Sequence, residues 1–341
     1  MSKASSFDDP SWEDHGRLTI EKLASMGSTL SLPWCPNFAG TVQPGDTFHS
    51  NRARSGNPWS AISPFTAESL LYIPLEYRRT EGGSASYKFI ETNSAVDTAE
   101  HLGVTFGISI GNPFLGASVT GGYDKDVIDN KHASKMSLRA SYRSGGVYMA
   151  AKPSLNREAI WCLRRCGLSA FKETYGDYYV AGFRIGGDAG LMVSKSTFSS
   201  RIIERLSARA EASALLIKVG KTWEKFFHHA AAGAAYSLSA FDTLTAVHVQ
   251  AHVEMADLEG ASAVIANATQ QAINLPFRIE QGMESVGFSD TTGTISQQKV
   301  YRVLADSNLI VELLLLPITT IREVFEGHLS NTFIENATED F

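Results

Sequence analysis

Cysteine is scarce: Cys35, Cys162 and Cys166 are the only three in a chain of 341 residues. So small and odd a number excludes a disulfide framework. Charge is thin as well. Charged residues make up 19% of the chain, below the roughly 25% of ordinary soluble domains. No run of Lys or Arg interrupts a formal net charge of -6, which excludes a nucleic-acid footprint. Long apolar runs are also missing. The best, Leu309 to Leu316, is broken by Glu312 and ends at Pro317, too short for a membrane-crossing helix. The opening MSKASSFDDPSWEDHG has no apolar signal-peptide core. The chain is therefore expected to be made in soluble form, and to be cytoplasmic or exported unconventionally. No phosphate loop, dinucleotide fingerprint or nucleophile elbow occurs, so the sequence reads as no enzyme and calls for no cofactor.

What is present is enough apolar material, 43%, to bury a sizeable core. Residues 1–30 read as a polar segment with a short helix from Leu18 to Met26, stopped by Gly27; residues 31–341 read as a single domain. After an irregular stretch to about residue 65, Glu68 to Arg79 reads as a strand with Pro74 at an edge or bulge. From Gly103 to Tyr148 the period is two. Val104, Phe106, Ile108 and Ile110 share one parity, Ala117, Val119 and Gly121 continue it, and Met136, Leu138, Ala140 and Tyr142 repeat it. Ser154 is placed to cap a helix running to about Phe171, with Cys162 and Cys166 on one face as buried structural thiols. A strand from Tyr178 to Ile185 leads into Gly186-Gly187.

Leu244 to Met255 alternates strictly, which puts His248, Gln250, His252 and Glu254 on the polar face of a strand and argues against a metal site. Asp257 to Asn274 reads as a helix stopped by Pro276. Lys299 to Ala305 and Leu309 to Leu316 read as a hairpin turning at Asp306, and Pro317 as the start of a last helix. Long strands among helices, without a βαβ beat, predict an α+β fold with one antiparallel sheet.

Residues 200 to 240 are legible in two periods at once. Leu206, Ala208, Ala210, Ala212 and Ala214 alternate with polar residues, as a strand requires, and Tyr236 and Leu238 alternate on the return. Ala, Leu, Arg and Glu are also strong helix formers, so an amphipathic helix packed on a sheet fits equally.

The run YGDYYVAGFRIGG places Tyr175, Gly176 and Tyr179 before the pair Gly186-Gly187. It resembles the signature of the membrane attack complex/perforin superfamily, in which Tyr-Gly-Thr-His-aromatic precedes a glycine pair at this spacing. Asp177 and Tyr178 stand where that family has Thr and His. The flanking segments are also arranged as in the family, and the resemblance spans about residues 60 to 330. It implies a bent, twisted antiparallel central sheet flanked by helical clusters. It also implies a pore-forming function: soluble monomers meet a lipid membrane, form a homo-oligomer through sheet edges and insert two β-hairpins each. Gly186 and Gly187 would be the sheet hinge. Phe106, Ile108, Ile110, Val119 and Leu138 would belong to the first inserting segment, within about 104–146. Leu206, Ala208, Ala210, Ala212, Ala214, Tyr236 and Leu238 would belong to the second, within about 196–240. Many relatives carry a C-terminal membrane-recognition domain, whereas about a dozen residues follow the last expected helix here. A separate targeting protein would fill that role. The alternative is a non-lytic member that keeps the fold for binding or assembly.

Overall fold

The computed structural model describes residues 20–34, 42–53, 57–92, 123, 134–195, 206–207, 236–253, 258–287, 293–295 and 306–326. The N-terminal helix forms as α1 (Ile20–Ser25), and Gly27 ends it at φ +65°. β1 (Leu30–Pro33) follows, at the start of the stretch expected to be irregular. Leu30 and Leu32 are fully buried, and pairing with a strand from the far end of the chain fixes β1. β2 (Thr47–Phe48) is a two-residue strand.

Residues 68–72 are not the extended strand expected of them. They lie in α2 (Ala67–Tyr72), whose N-cap Thr66 accepts a hydrogen bond from the Ser69 amide. Pro74 forces Ile73 out of the helical region, and β3 (Leu75–Thr92) starts immediately afterwards. β4 (Ser134–Met149) leads to α3 (Arg157–Tyr175), capped by Asn156 rather than Ser154, with its Oδ1 accepting from the Ala159 amide at 2.8 Å. Gly167, at φ +80°, kinks α3. The thiols of α3 are not buried as expected: Cys162 is half-buried and Cys166 exposed, because Ala159, Leu163 and Phe171 form the stripe facing the core.

β5 (Tyr178–Lys195) does not stop at its glycine pair but runs through it for 18 residues. β6 (Leu206–Ser207) and β7 (Tyr236–Asp242) follow, and β8 (Val247–Val253) begins three residues later than the alternation suggested. The delay is a turn in which Asp242 Oδ1 accepts from the Leu244 amide and Ala246 adopts φ +54°. α4 (Leu258–Ile273) is followed at once by α5 (Leu275–Ser285), so Pro276 starts a helix instead of only ending one. β9 (Gly293–Ile295) and β10 (Ile310–Pro317) complete the sheet, and Pro317 caps a short 3₁₀ turn at Ile318–Thr320.

The architecture is α+β, with a ten-stranded sheet in which every pairing among the described residues is antiparallel. Its main order is β1-β10-β5-β4-β3-β6. β5 changes neighbour partway. Tyr178 to Ile185 pair with β10, and Ala189 to Lys195 pair with β7. α4 and α5 pack on β4 and β5 over one core, while α3 covers Tyr179 and Ala181 in a second.

Candidate functional site

The signature residues knit separate parts of the chain together. Gly176 closes α3 at φ +100°, and a Cβ there would lie 2.7 Å from the Phe48 carbonyl oxygen. Glycine is required on both counts. The Asp177 amide donates to that carbonyl at 3.0 Å, and its carboxylate accepts from the Ser50 amide at 2.8 Å and from the Ser50 hydroxyl. The Asp177 carbonyl accepts from the Ile318 amide. The Tyr178 hydroxyl donates to the Ser28 carbonyl at 2.8 Å, and burial pushes its phenol up to about 12, so it remains a donor at neutral pH. Tyr179 meets Phe65 edge-on at 5.6 Å, and Tyr175 lies against Phe171. Asp177 and Tyr178, the two departures from the family pattern, thus tie β5 to Ser50 and to the end of α1.

His49 is buried in this junction, and burial, then Arg52, hold its pKa below the ordinary histidine value against the pull of Asp177. A group whose folded pKa is depressed contributes stability that is complete above the unfolded value and lost as pH falls through the folded one. Acidification from about pH 7 to about pH 5 is therefore expected to lower the urea midpoint of the wild type more than that of His49→Gln. Equal falls in the two proteins would remove His49 from the account.

The glycine pair marks a line of interruptions across the sheet. β3 loops out residues 80–83 between Arg79 and Ser84, β4 bulges between Arg143 and Gly145, and β10 slips between Ile310 and Glu312. All three irregularities lie level with Ile185 and Gly186, and the Gly186 amide donates to the Leu309 carbonyl at 2.9 Å. Bulges are where antiparallel strands bend and twist. The two glycines serve opposite faces. Neither has a positive φ, so what they supply is space and not an unusual backbone conformation. A Cβ on Gly186 would sit 2.0 Å from the Tyr142 carbonyl oxygen, inside the close approach of β4. A Cβ on Gly187 would sit 2.9 Å from Ile279 Cδ1, on the face that receives α5.

On the Gly186 face, Arg143 of β4 reaches across β5 to β10. Its Nε donates to Glu312 at 2.8 Å, and both terminal nitrogens reach Asp188 at 3.1 Å. Nη1 also donates to the Gly187 carbonyl. Ser141 donates to Asp188, Ser31 donates to Glu312, and Thr243 accepts from the Asp188 amide. Four strands, β1, β4, β5 and β10, thus converge on one largely buried guanidinium and its two carboxylates. On the other face, Glu280 of α5 accepts from Arg79 at 2.7 Å and from the Tyr142 hydroxyl at 2.8 Å, seating the helix on the same line.

Of the residues singled out in the sequence, Tyr175, Gly176 and Tyr179 lie at the junction where β5 begins, and Gly186 and Gly187 lie further along the same strand at the line of bulges. Leu138 is buried on β4 between Phe89 and Leu191, and Leu238 is buried on β7. Leu206 pairs with Phe89 through β6, and Tyr236 opens β7. Phe106, Ile108, Ile110, Val119, Ala208, Ala210, Ala212 and Ala214 lie outside the described residues. His248 and His252 stand on β8, which is a strand as their alternation predicts. Among the described residues no cluster of His, Cys, Asp or Glu could hold a metal, and no helix is long and apolar enough to cross a membrane. Sequence reasoning missed Arg143, Asp188 and Glu312. Their signal was present: a charge beside the glycine pair and another breaking an apolar run.

No family model matches the chain, and no curated protein does. Among solved structures it is similar to wild type pneumolysin, with 12% identity over 84% of this chain and 60% of that one, at a TM-score of 0.39. It is also similar to the cytotoxin protein suilysin from Streptococcus suis, with 10% identity over 85% and 60% of the two chains, at 0.31. A protein with a MAC/Perforin domain from Bacteroides thetaiotaomicron matches with 10% identity over 65% and 52%, at 0.27. The chain spans about 60% of the length of pneumolysin.

Proposed function

We propose that this chain is a pore-forming protein whose soluble monomer oligomerises on a lipid membrane, with or without a separate targeting protein, and inserts two β-hairpins. The observation that carries the reading is the line of bulges at Gly186. Below it, β3, β4, β5 and β7 form a contiguous antiparallel block, and β8 adds a further strand. The block's two connections, residues 93–133 and 196–235, are the segments whose alternation suits spanning strands. Straightening at the line would let those strands extend into hairpins, and only a closed barrel satisfies their backbone groups in lipid.

The edges fit assembly. β6 lies in the second of these segments, and it pairs with β3 at Lys88 and Phe89. It covers an edge that a second copy would need, as exposed edges must be covered in a soluble protein. A Lys88→Cys/Ser207→Cys disulfide across this register is expected to block oligomer formation and liposome leakage, and reductant to restore both. Leakage with the disulfide intact would disprove the edge assignment. The reading as a whole is tested by leakage across vesicle compositions, with dye-labelled single cysteines from Leu206 to Leu215. Even positions should report lipid and odd positions water. A period near 3.6 in a leaking protein overturns the hairpin mechanism. Absence of leakage from every vesicle leaves the binding or assembly role.

A further inference from the structure

The first half of α3 has one face in the second core and another in solvent. Ala159 and Leu163 are buried, whereas Arg157, Trp161, Arg164 and Arg165 are exposed. The arginines stand at i−4, i+3 and i+4 from Trp161, which makes all three its neighbours on the helix surface. Trp161 itself is 59% exposed. Among the described residues none of the three arginines has an ion-pair partner, and only Glu158 adds a carboxylate at the border of the stripe. In a chain of net charge -6 this is a local positive surplus around an exposed ring. Its complement is a segment carrying carboxylates and an apolar side chain together.

The chain's own continuation has that composition. Beyond β10, Ile321 and Val324 pack in the same core as Ala159 and Leu163, and Phe325 is 54% exposed. Residues 327–341, outside the described residues, hold Phe333, Ile334, Glu335, Glu339 and Asp340, with no Lys or Arg. Seven residues from Glu326 to Phe333 reach about 23 Å when extended. The helix to be rounded is only about 10–12 Å across. The acidic residues Asp8, Asp9, Glu13 and Asp14 precede α1 instead, which neighbours the Ser50–Arg52 turn. Arg52 donates to the Glu173 carbonyl, so that route enters beside the far end of α3.

The geometry points to residues 333–340 as the occupant of the exposed face of α3 in the same molecule. Phe333 and Ile334 lie against Trp161, and Glu335, Glu339 and Asp340 meet the arginines. Attachment at Glu326 gives the segment a local concentration on the order of millimolar, which favours it over a second copy's. The contact does not depend on the pore-forming reading.

The test places the photo-crosslinking residue benzoylphenylalanine at position 333 of the full chain and maps the products. An intramolecular cross-link to residues 157–165 is expected. Arg164→Glu with Arg165→Glu should lower its yield about fivefold or more at low salt, as should Glu335→Arg with Glu339→Arg. All four changes together should restore it. Arg164 and Arg165 are exposed, so their reversal leaves the core intact. A cross-link elsewhere in the chain, a cross-link between two copies, or none at all overturns the proposal. So does a yield that charge reversal does not move.

Discussion

Arg143→Ala is expected to destabilise the fold by about 3–5 kcal/mol, measured as the change in urea unfolding free energy. The loss comes less from the bonds removed than from what they leave behind. The Asp188 side chain is 1% exposed and that of Glu312 9%, so without the guanidinium two carboxylates, one on β5 and one on neighbouring β10, are left away from water without the cation that joins them. Ser141 and Ser31 satisfy some of their lone pairs but supply no positive charge. Arg184 reaches Glu312 only at 3.5 Å and from an exposed position. Arg143→Lys should recover only part of the loss, because a lysine cannot present the planar fork that Asp188 and Glu312 both occupy. Adding Asp188→Asn and Glu312→Gln to Arg143→Met should recover more, since neutral replacement of a whole buried ionic group is often tolerated. A loss below about 1 kcal/mol for Arg143→Ala would show that water reaches the carboxylates and that the cluster does not lock the sheet.

Gly186→Ala should cost at or above the upper end of the roughly 1–3 kcal/mol typical of overpacking, while Gly187→Ala should cost about 1 kcal/mol or less. The two adjacent substitutions add the same methyl group, and the surroundings decide the difference. At Gly186 the methyl meets a backbone carbonyl at 2.0 Å, beside the β4 bulge, and that carbonyl cannot yield without moving β4 away from β5. At Gly187 it meets the ends of the Ile279 and Leu275 side chains at 2.9 and 3.2 Å, which can rotate. The unfolded chain also loses freedom when either glycine is replaced, which offsets about 0.4–1 kcal/mol of the cost. Urea unfolding of both variants measures the contrast. If Gly187→Ala proved the more harmful, the close approach of β4 would not be the reason for the pair, and the seat of α5 would be.

Much of this fold was legible in the residues. The alternation of Met136, Leu138, Ala140 and Tyr142, and of Val247, Val249, Ala251 and Val253, dictates strands, because only period two puts like side chains on one face. The site was half legible. The spacing of Tyr175, Gly176 and Tyr179 to Gly186-Gly187 singled out β5. The reason for the glycines did not follow from composition, since a glycine reads the same whether it supplies a turn, a positive φ or space.

By itself the sequence determined the α+β class, the α3 and α4 helices, the strand character of β4, β5 and β8, and the segment where β5 needs glycine. These follow from local propensity and periodicity, which act over a few residues and need no partner. Only the tertiary structure decided that β1 exists, that β5 runs unbroken through its glycines, and that Arg143 closes onto Asp188 and Glu312. Each of these depends on residues far apart in the chain: Leu30 finds Leu315, and Arg143 finds Glu312 across an intervening strand. Such choices are made by close packing and by the demand that a buried charge meet its opposite, and neither acts until the sheet has formed.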